Sequence, residues 1–343
     1  MTARPLLGAL VTLASLTATL GAQPAGAPGR LPADRLDVLS PSARVDGAPG
    51  SLRVQDGSCP RRDLTGAALR RRIVDVVTQE WAFFGFSVLD YTVPDPFGRS
   101  PRRGRPGWSL LGPSDAVRVA NSIAGYWTIT PEGGWIIENQ NERWNRSGIE
   151  SRWRTPWSAA FVSWVMCESG LDEMEEFRRA VAHHSYIDQA IRARDGAAAA
   201  AAYTAHDIGE TAISPGDLLC SGRRPGYRSL AERRRQLGEG ARTHCDVVVK
   251  LEPARNRILA IGGNVRATVG LKLLPAVLDE TVGLRPDGGA RPLFAHLKLR
   301  AASLAGDALD ATPTMRALAC GEAPLPTQVA SAGLIRSPAA ARC

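Results

Sequence analysis

The stretch Trp153–Gly170, WRTPWSAAFVSWVMCESG, decides the fold. Thr155 is a residue type that caps helix N-termini, Pro156 suits the first helical position and Gly170 suits a C-terminal stop. The spacing predicts a helix over 156–169, and its face of Phe161, Val162, Val165 and Met166 is apolar enough to belong in a core. Ser158 falls in the first turn, where backbone N–H groups lack partners and the helix dipole favours an anion. The centre of the reading is therefore a buried helix that opens on a small nucleophilic residue.

Upstream, Leu69, Ile73, Val76, Val77, Trp81 and Phe84 recur at helical spacing over Ala68–Phe84, and Ser114–Trp127 has a second such period. Between them, Asp95–Gly107 is a loop with four arginines, Arg99, Arg102, Arg103 and Arg105. It reads as a solvated basic loop or as a contact for an anionic substrate. The aromatic and amide groups of Trp135–Trp144 suit stacking on sugar rings and equally suit a core edge. Downstream, Glu173–Arg194 reads as a helix carrying His183, His184 and Tyr186. Ser214–Cys220 is a turn into a strand, with Asp217 as a turn residue. Thr243–Glu252 is a β-branched strand, Ile258–Asn264 returns after the turn Ala254–Arg257, and VGLKLL and LFAHLKL are two more strands. Helices first and strands after give an α+β class with an antiparallel sheet.

The chain has 343 residues, 44% hydrophobic and 22% charged, the composition of a globular protein. Its formal net charge of +8 leaves nucleic acid, an anionic membrane surface or an anionic envelope polymer as partners. Arg4 followed by the uncharged run Pro5–Ala22 predicts a secretory signal peptide over 1–22, with no cysteine at its end for lipidation. A periplasmic or secreted location follows, which makes nucleic acid an unlikely partner class and the cell wall the leading one. Residues 23–60 read as a flexible linker, 61–300 as the folded domain and 301–343 as a low-complexity tail. The six cysteines contain no CxxC pair, which excludes a zinc ribbon and a thioredoxin motif. His183, His184, His206 and Asp246 fit no standard ligand spacing, so neither metal nor cofactor is expected.

A helix with a nucleophile, then a strand with His, then a strand with Asn resembles the papain-like CHAP and NlpC cell-wall hydrolases. PWSAAFVSWV is similar to the motif in which that group carries its cysteine at a helix start, with Ser158 in the cysteine position. The resemblance places Pro215–Leu219 on the PGD strand, His244 at the base and Asn264 at the orienting residue. The set Glu80-Trp81, Phe84-Gly85, Tyr126-Trp127, WSAAFVSWVM, His183-x-x-Tyr186 and HCDVVV–GGN is similar to the bacterial domain-of-unknown-function family 2272 over roughly residues 65–300. The implied fold is papain-like α+β. The implied cleft is edged by Trp157, His184 and Tyr186. The fold would also bring Cys220 near Cys245 for a disulfide, with Cys320–Cys343 a weaker pairing, while Cys167 reads as a buried small hydrophobe.

Serine changes the chemistry. A thiol at a helix start ionises readily, whereas a hydroxyl needs a general base in the transition state. His244 is the candidate base, oriented by Asn264 or by Asp246, which shares its strand face. The expected activity is hydrolysis of amide bonds in peptidoglycan peptides. The rival expectation is a non-catalytic wall- or glycan-binding module.

Overall fold

The computed structural model describes residues 29–93, 111–149, 152–223, 226–288, 292–322 and 326–334. The expected signal peptide, the arginine loop and Cys343 lie outside them. Eight helices are described: α1 (Ala67–Phe83), α2 (Pro113–Trp127), α3 (Gly133–Ser147), α4 (Ser158–Glu168), α5 (His184–Arg194), α6 (Leu230–Arg234), α7 (Pro313–Ala319) and α8 (Thr327–Ser331). The strands among the described residues are β1 (Val45–Asp46), β2 (Arg53–Val54), β3 (Ser87–Asp90), β4 (Tyr203–His206), β5 (Leu218–Gly222), β6 (Thr243–Glu252), β7 (Arg257–Val265), β8 (Thr268–Asp279), β9 (Gly283–Pro286) and β10 (Leu293–Leu299). β1 and β2 form a small separate sheet. The main sheet has the order β3-β8-β7-β6-β5-β10-β4, with β9 on β8. All its pairings are antiparallel except β3 with β8, so the class is α+β with a mixed sheet. No helix among the described residues is long and apolar enough to cross a membrane.

β6 is buried along its first eight residues because both faces of the sheet are covered. Cys245, Val247 and Val249 join Trp81, Phe161, Trp164 and the rest of the helix-side core. Val248 packs on the other face with Leu219, Ile258, Ala260 and Leu274. Phe161 of α4 lies directly on β7: a Cβ added at Gly263 would stand 2.6 Å from its side chain, so only glycine lets the helix approach this closely.

Asp217 does more than turn the chain. It is fully buried and accepts from Arg70 Nη1 at 2.7 Å, His296 Nε2 at 2.8 Å and the amides of Ser214 and Leu299 at 2.9 Å each. One carboxylate thus ties α1, the β5 turn and β10 together. The described residues of the lead-in are held by contacts to the helices. Arg30 donates to the buried Glu80 at 2.8 Å and Arg44 pairs with Glu168, while Leu36, Val45 and Leu52 are buried. In the tail, Leu309, Met315, Leu318 and Val329 enter the helix-side core. Neither segment has a hydrophobic period, because both are ordered by partners remote in sequence.

Two helices differ from their expected spans. α4 starts at Ser158, since Thr155 makes no cap bond and the first helical bond runs from the Phe161 amide to the Trp157 carbonyl at 3.0 Å. The helix expected over 173–194 exists only as α5. Before it, Ser163 Oγ takes the Ala180 amide at 3.1 Å, and Gln189 takes the Arg178 amide at 2.7 Å while donating to the carbonyls of Met174 and Glu175. Side chains here occupy backbone groups that a helix would pair internally. Cys167 is buried as expected but is not free: it is bonded to Cys59, which fastens the lead-in to α4. Cys220 is bonded to Cys245 across β5 and β6.

Candidate active site

Ser158 is the first residue of α4 and only 5% exposed. Trp157 before it is buried against Tyr126, ring centroids 5.8 Å apart and nearly parallel, so its indole fixes the helix start and offers no face to a ligand. The amides of Ser158, Ala159 and Ala160 precede the first intrahelical bond and point out of the helix end.

Ser158 Oγ lies 2.7 Å from Nε2 of His183, the residue just before α5. The Cys245 amide donates to Nδ1 of the same ring at 3.2 Å, and the Tyr186 hydroxyl also meets Nδ1. This amide is available because β7 leaves the ladder. The β6–β7 register ends at Val247 opposite Ile261 and β7 bulges from Gly262 to Val265, so Cys245, paired with Cys220 of β5 on its other side, has no β7 partner and its amide meets His183. Asn264 sits in this bulge with a left-handed φ of 54°, a conformation asparagine tolerates better than most residues. No hydrogen bond joins it to His183 or His244 among the described residues.

His244 and Asp246 share the face of β6 opposite Cys245. His244 Nε2 lies 2.9 Å from Asp246 Oδ1, and Lys272 Nζ of β8 donates to Asp246 Oδ2 at 2.7 Å. Gly262 makes room for this array, since a Cβ there would stand 1.9 Å from Asp246 Oδ1. The rings of His183 and His244 meet edge to face, centroids 5.1 Å apart. No hydrogen bond joins Ser158 to His244, which looks away from the helix layer. His184 is half-buried and its Nδ1 approaches the Ala241 backbone rather than Ser158.

Burial sets the charges. It pushes His244 down to about 4, against the opposing pull of Asp246 and with a further lowering by Lys272. His183 is held well below the usual imidazole range by burial and then by His244. Burial works against ionisation of Asp246, but Lys272 and His244 overcome it and hold the carboxyl far below its usual range. At neutral pH His183 and His244 are therefore neutral imidazoles and Asp246 is a carboxylate. Tyr186, raised well above its usual value by burial, stays a phenol. No group of three or more metal-ligating side chains is present among the described residues.

The structure thus joins Ser158 to His183 and Tyr186, and His244 to Asp246. Sequence reasoning weighed His183 only among metal ligands. Its signal was the His183-x-x-Tyr186 spacing, which puts the phenol beside the ring. Lys272 was missed and has no local signal. The model of a bacterial family described as "Uncharacterized protein conserved in bacteria" (DUF2272) matches residues 116–292, a span that holds every member of this cluster. No curated protein and no solved structure matches the chain.

Proposed function

The chain belongs to the bacterial DUF2272 family, and from the chemistry of the cluster we propose that it is an exported hydrolase of amide bonds, acting on peptidoglycan peptides from a papain-like cleft. The contact that carries this reading is the 2.7 Å approach of Ser158 Oγ to His183 Nε2 at the N-terminus of a buried helix. Ser158 is the nucleophile, and the amides of Ala159 and Ala160 are the nearest donors for the oxyanion. The resemblance to CHAP and NlpC hydrolases supports the fold and the bond type. The signal-like Pro5–Ala22 run and the +8 charge support an anionic wall polymer as partner in the periplasm or outside the cell.

The test is labelling of the full chain by a fluorophosphonate probe, which reports an activated serine whatever the substrate, together with digestion of purified peptidoglycan. Wild type is expected to label and to release peptide fragments, and Ser158→Ala to do neither. Equal product from both would overturn Ser158 as nucleophile. A Ser158→Cys variant is expected to keep or gain activity if the cleft supports acyl transfer. The burial of Ser158 and Trp157 favours a second reading, a wall- or glycan-binding module. It predicts sedimentation with insoluble peptidoglycan that Ser158→Ala leaves intact and no labelling of either protein.

A further inference from the structure

The asparagines of α3 line one edge of the β1–β2 hairpin. Asn145 Nδ2 donates to the Gly50 carbonyl at 2.9 Å. Asn141 accepts from the amides of Gly50 and Leu52, at 3.2 and 3.1 Å, and donates to the Leu52 carbonyl at 2.7 Å. As the chain advances from Gly50 to Leu52, its partners step back along α3 from Asn145 to Asn141. Four helical residues cover about 6 Å and two strand residues about 6.6 Å, so the partner for Val54 falls at position 137. That residue is Ile137, which has no amide to offer. Val54 stands opposite Val45, and the bond beside this pair runs from the Gln55 amide to the Arg44 carbonyl at 2.9 Å, the pattern of a non-hydrogen-bonded pair. The N–H and C=O of Val54 therefore face away from β1, on the edge used by Leu52, and make no hydrogen bond to a described residue. A cavity of about 430 Å³ opens here, lined by Leu52, Val54, Gly134 and Ile137, with the exposed Arg53 and Glu138 at its sides. Its size lies within the roughly 300–1,000 Å³ of small-molecule sites. Trp135, next to Gly134, is 69% exposed and makes no ring contact with a described residue, whereas the other described tryptophans are buried or packed on one another. Val54 is 44% exposed, so two large apolar side chains stand in water at one cavity.

We propose that this cavity binds an N-acetylated amino sugar, whose acetamido group pairs with the N–H and C=O of Val54 while its pyranose ring stacks on Trp135. An acetamido group carries one donor and one acceptor, which matches the single unpaired donor and acceptor of Val54. Its methyl rests on Ile137, and Arg53 and Glu138 meet the ring hydroxyls as donor and acceptor. The pyranose ring supplies a flat C–H face of the kind an indole covers. An extended peptide fits the edge less well, because an added strand bonds at every second residue. The positions before Val54 are taken by Asn141 and Asn145, and beyond it the Asp56 amide is bonded to the Arg44 carbonyl at 3.1 Å. The cavity shares no residue with the Ser158 cluster, so the proposal stands whether or not that serine is a nucleophile.

The experiment is isothermal titration of the full chain with three probes and two variants. Tri-N-acetylchitotriose is expected to bind with a Kd of about 1 mM or tighter. Cellotriose has the same rings without the acetamido groups and is expected to bind at least about tenfold more weakly, the loss of the pair of hydrogen bonds to Val54. A blocked alanine tripeptide, which has amides and no ring, is expected not to bind. Trp135→Ala is expected to weaken chitotriose about tenfold through the lost stack. Val54→Pro removes the N–H at an edge position that tolerates proline and is expected to weaken it similarly. Urea midpoints check that both variants fold, and if Val54→Pro does not, the probe comparison and Trp135→Ala still decide. Equal binding of chitotriose and cellotriose overturns the acetamido assignment. Tripeptide binding above that of the sugar makes the edge a strand-docking site and overturns the proposal. So does the absence of chitotriose binding, or unchanged binding by Trp135→Ala. Glycan strands stripped of peptide, titrated beside chitotriose, separate two sources of the sugar. Tighter binding of the strands names the cell wall, tighter binding of chitotriose names a chitin-like glycan, and both support the acetamido site. Failure of labelling at Ser158 leaves these titrations unaffected, and failure of the titrations leaves the hydrolase reading standing.

Discussion

Gly262→Ala tests whether the array on the far face of β6 is packed as described. The added methyl would sit 1.9 Å from Asp246 Oδ1, 3.0 Å from its Cγ and 3.2 Å from His244 Nε2. The φ of Gly262 is not in the left-handed region, so the backbone accepts alanine and the whole effect is steric. The carboxylate oxygen must retreat by roughly 1 Å or more to reach a tolerable contact, which breaks its 2.9 Å bond to His244. Overpacking costs about 1–3 kcal/mol and a lost charge-assisted hydrogen bond about 1.5–3 kcal/mol. Together they destabilise by about 2.5–6 kcal/mol, a large share of the roughly 5–15 kcal/mol that holds a domain together. Urea denaturation followed by tryptophan fluorescence measures this. Gly134→Ala is the control: its Cβ meets nothing within 4 Å in the first turn of α3, and it is expected to be neutral or stabilising by up to about 1 kcal/mol. If Gly262→Ala falls within 1 kcal/mol of wild type, the close approach of β7 to Asp246 is wrong, and the account of how His244 is oriented falls with it.

Stability should fall with acid through His244. Its folded value of about 4 lies below the unfolded value of about 6.5, so the unfolded chain binds the extra proton between them, and stability present above pH 6.5 is lost on descent toward 4. The amount is about 3 kcal/mol. It is read as the difference in pH slope between wild type and His244→Gln, because Asp75, raised to about 6 by burial, has the opposite slope in the same window. A shared slope would refute the neutral buried imidazole. Replacing Cys59 and Cys167 together by alanine opens a loop of sequence separation 108 and is expected to cost about 5 kcal/mol. A urea midpoint unchanged from wild type would show that the lead-in is held by its other contacts alone. Asp217→Ala leaves the Arg70 guanidinium buried without its counter-ion and is expected to destabilise by about 3–5 kcal/mol. A loss under 1 kcal/mol, measured the same way, would mean that this carboxylate is not a tie between α1 and β10.

Local sequence by itself determined the elements that carry their own period. The ten residues of β6 and the seven of β10 are the expected segments, because unbroken apolar and β-branched runs between turns have few other ways to be buried. α1 and α2 lie within a residue of their expected spans, and the Ser158 helix was legible from its apolar face. The α+β class follows from their order. The array around Ser158 was less legible. His244 and Asp246 were read as one strand face from their spacing alone, which is a local property. Three other features needed the tertiary structure. His183 reaches Ser158 because side chains of Ser163 and Gln189 stop the helix before it. Its Nδ1 finds the Cys245 amide because β7 bulges where Gly262 and Gly263 let Asp246 and Phe161 come close. Lys272 meets Asp246 because β7 returns as β8. Period and capping are written between near neighbours. The partner of a ring nitrogen is set by which segments pack beside it, and in this protein those segments come from four separate stretches of the chain.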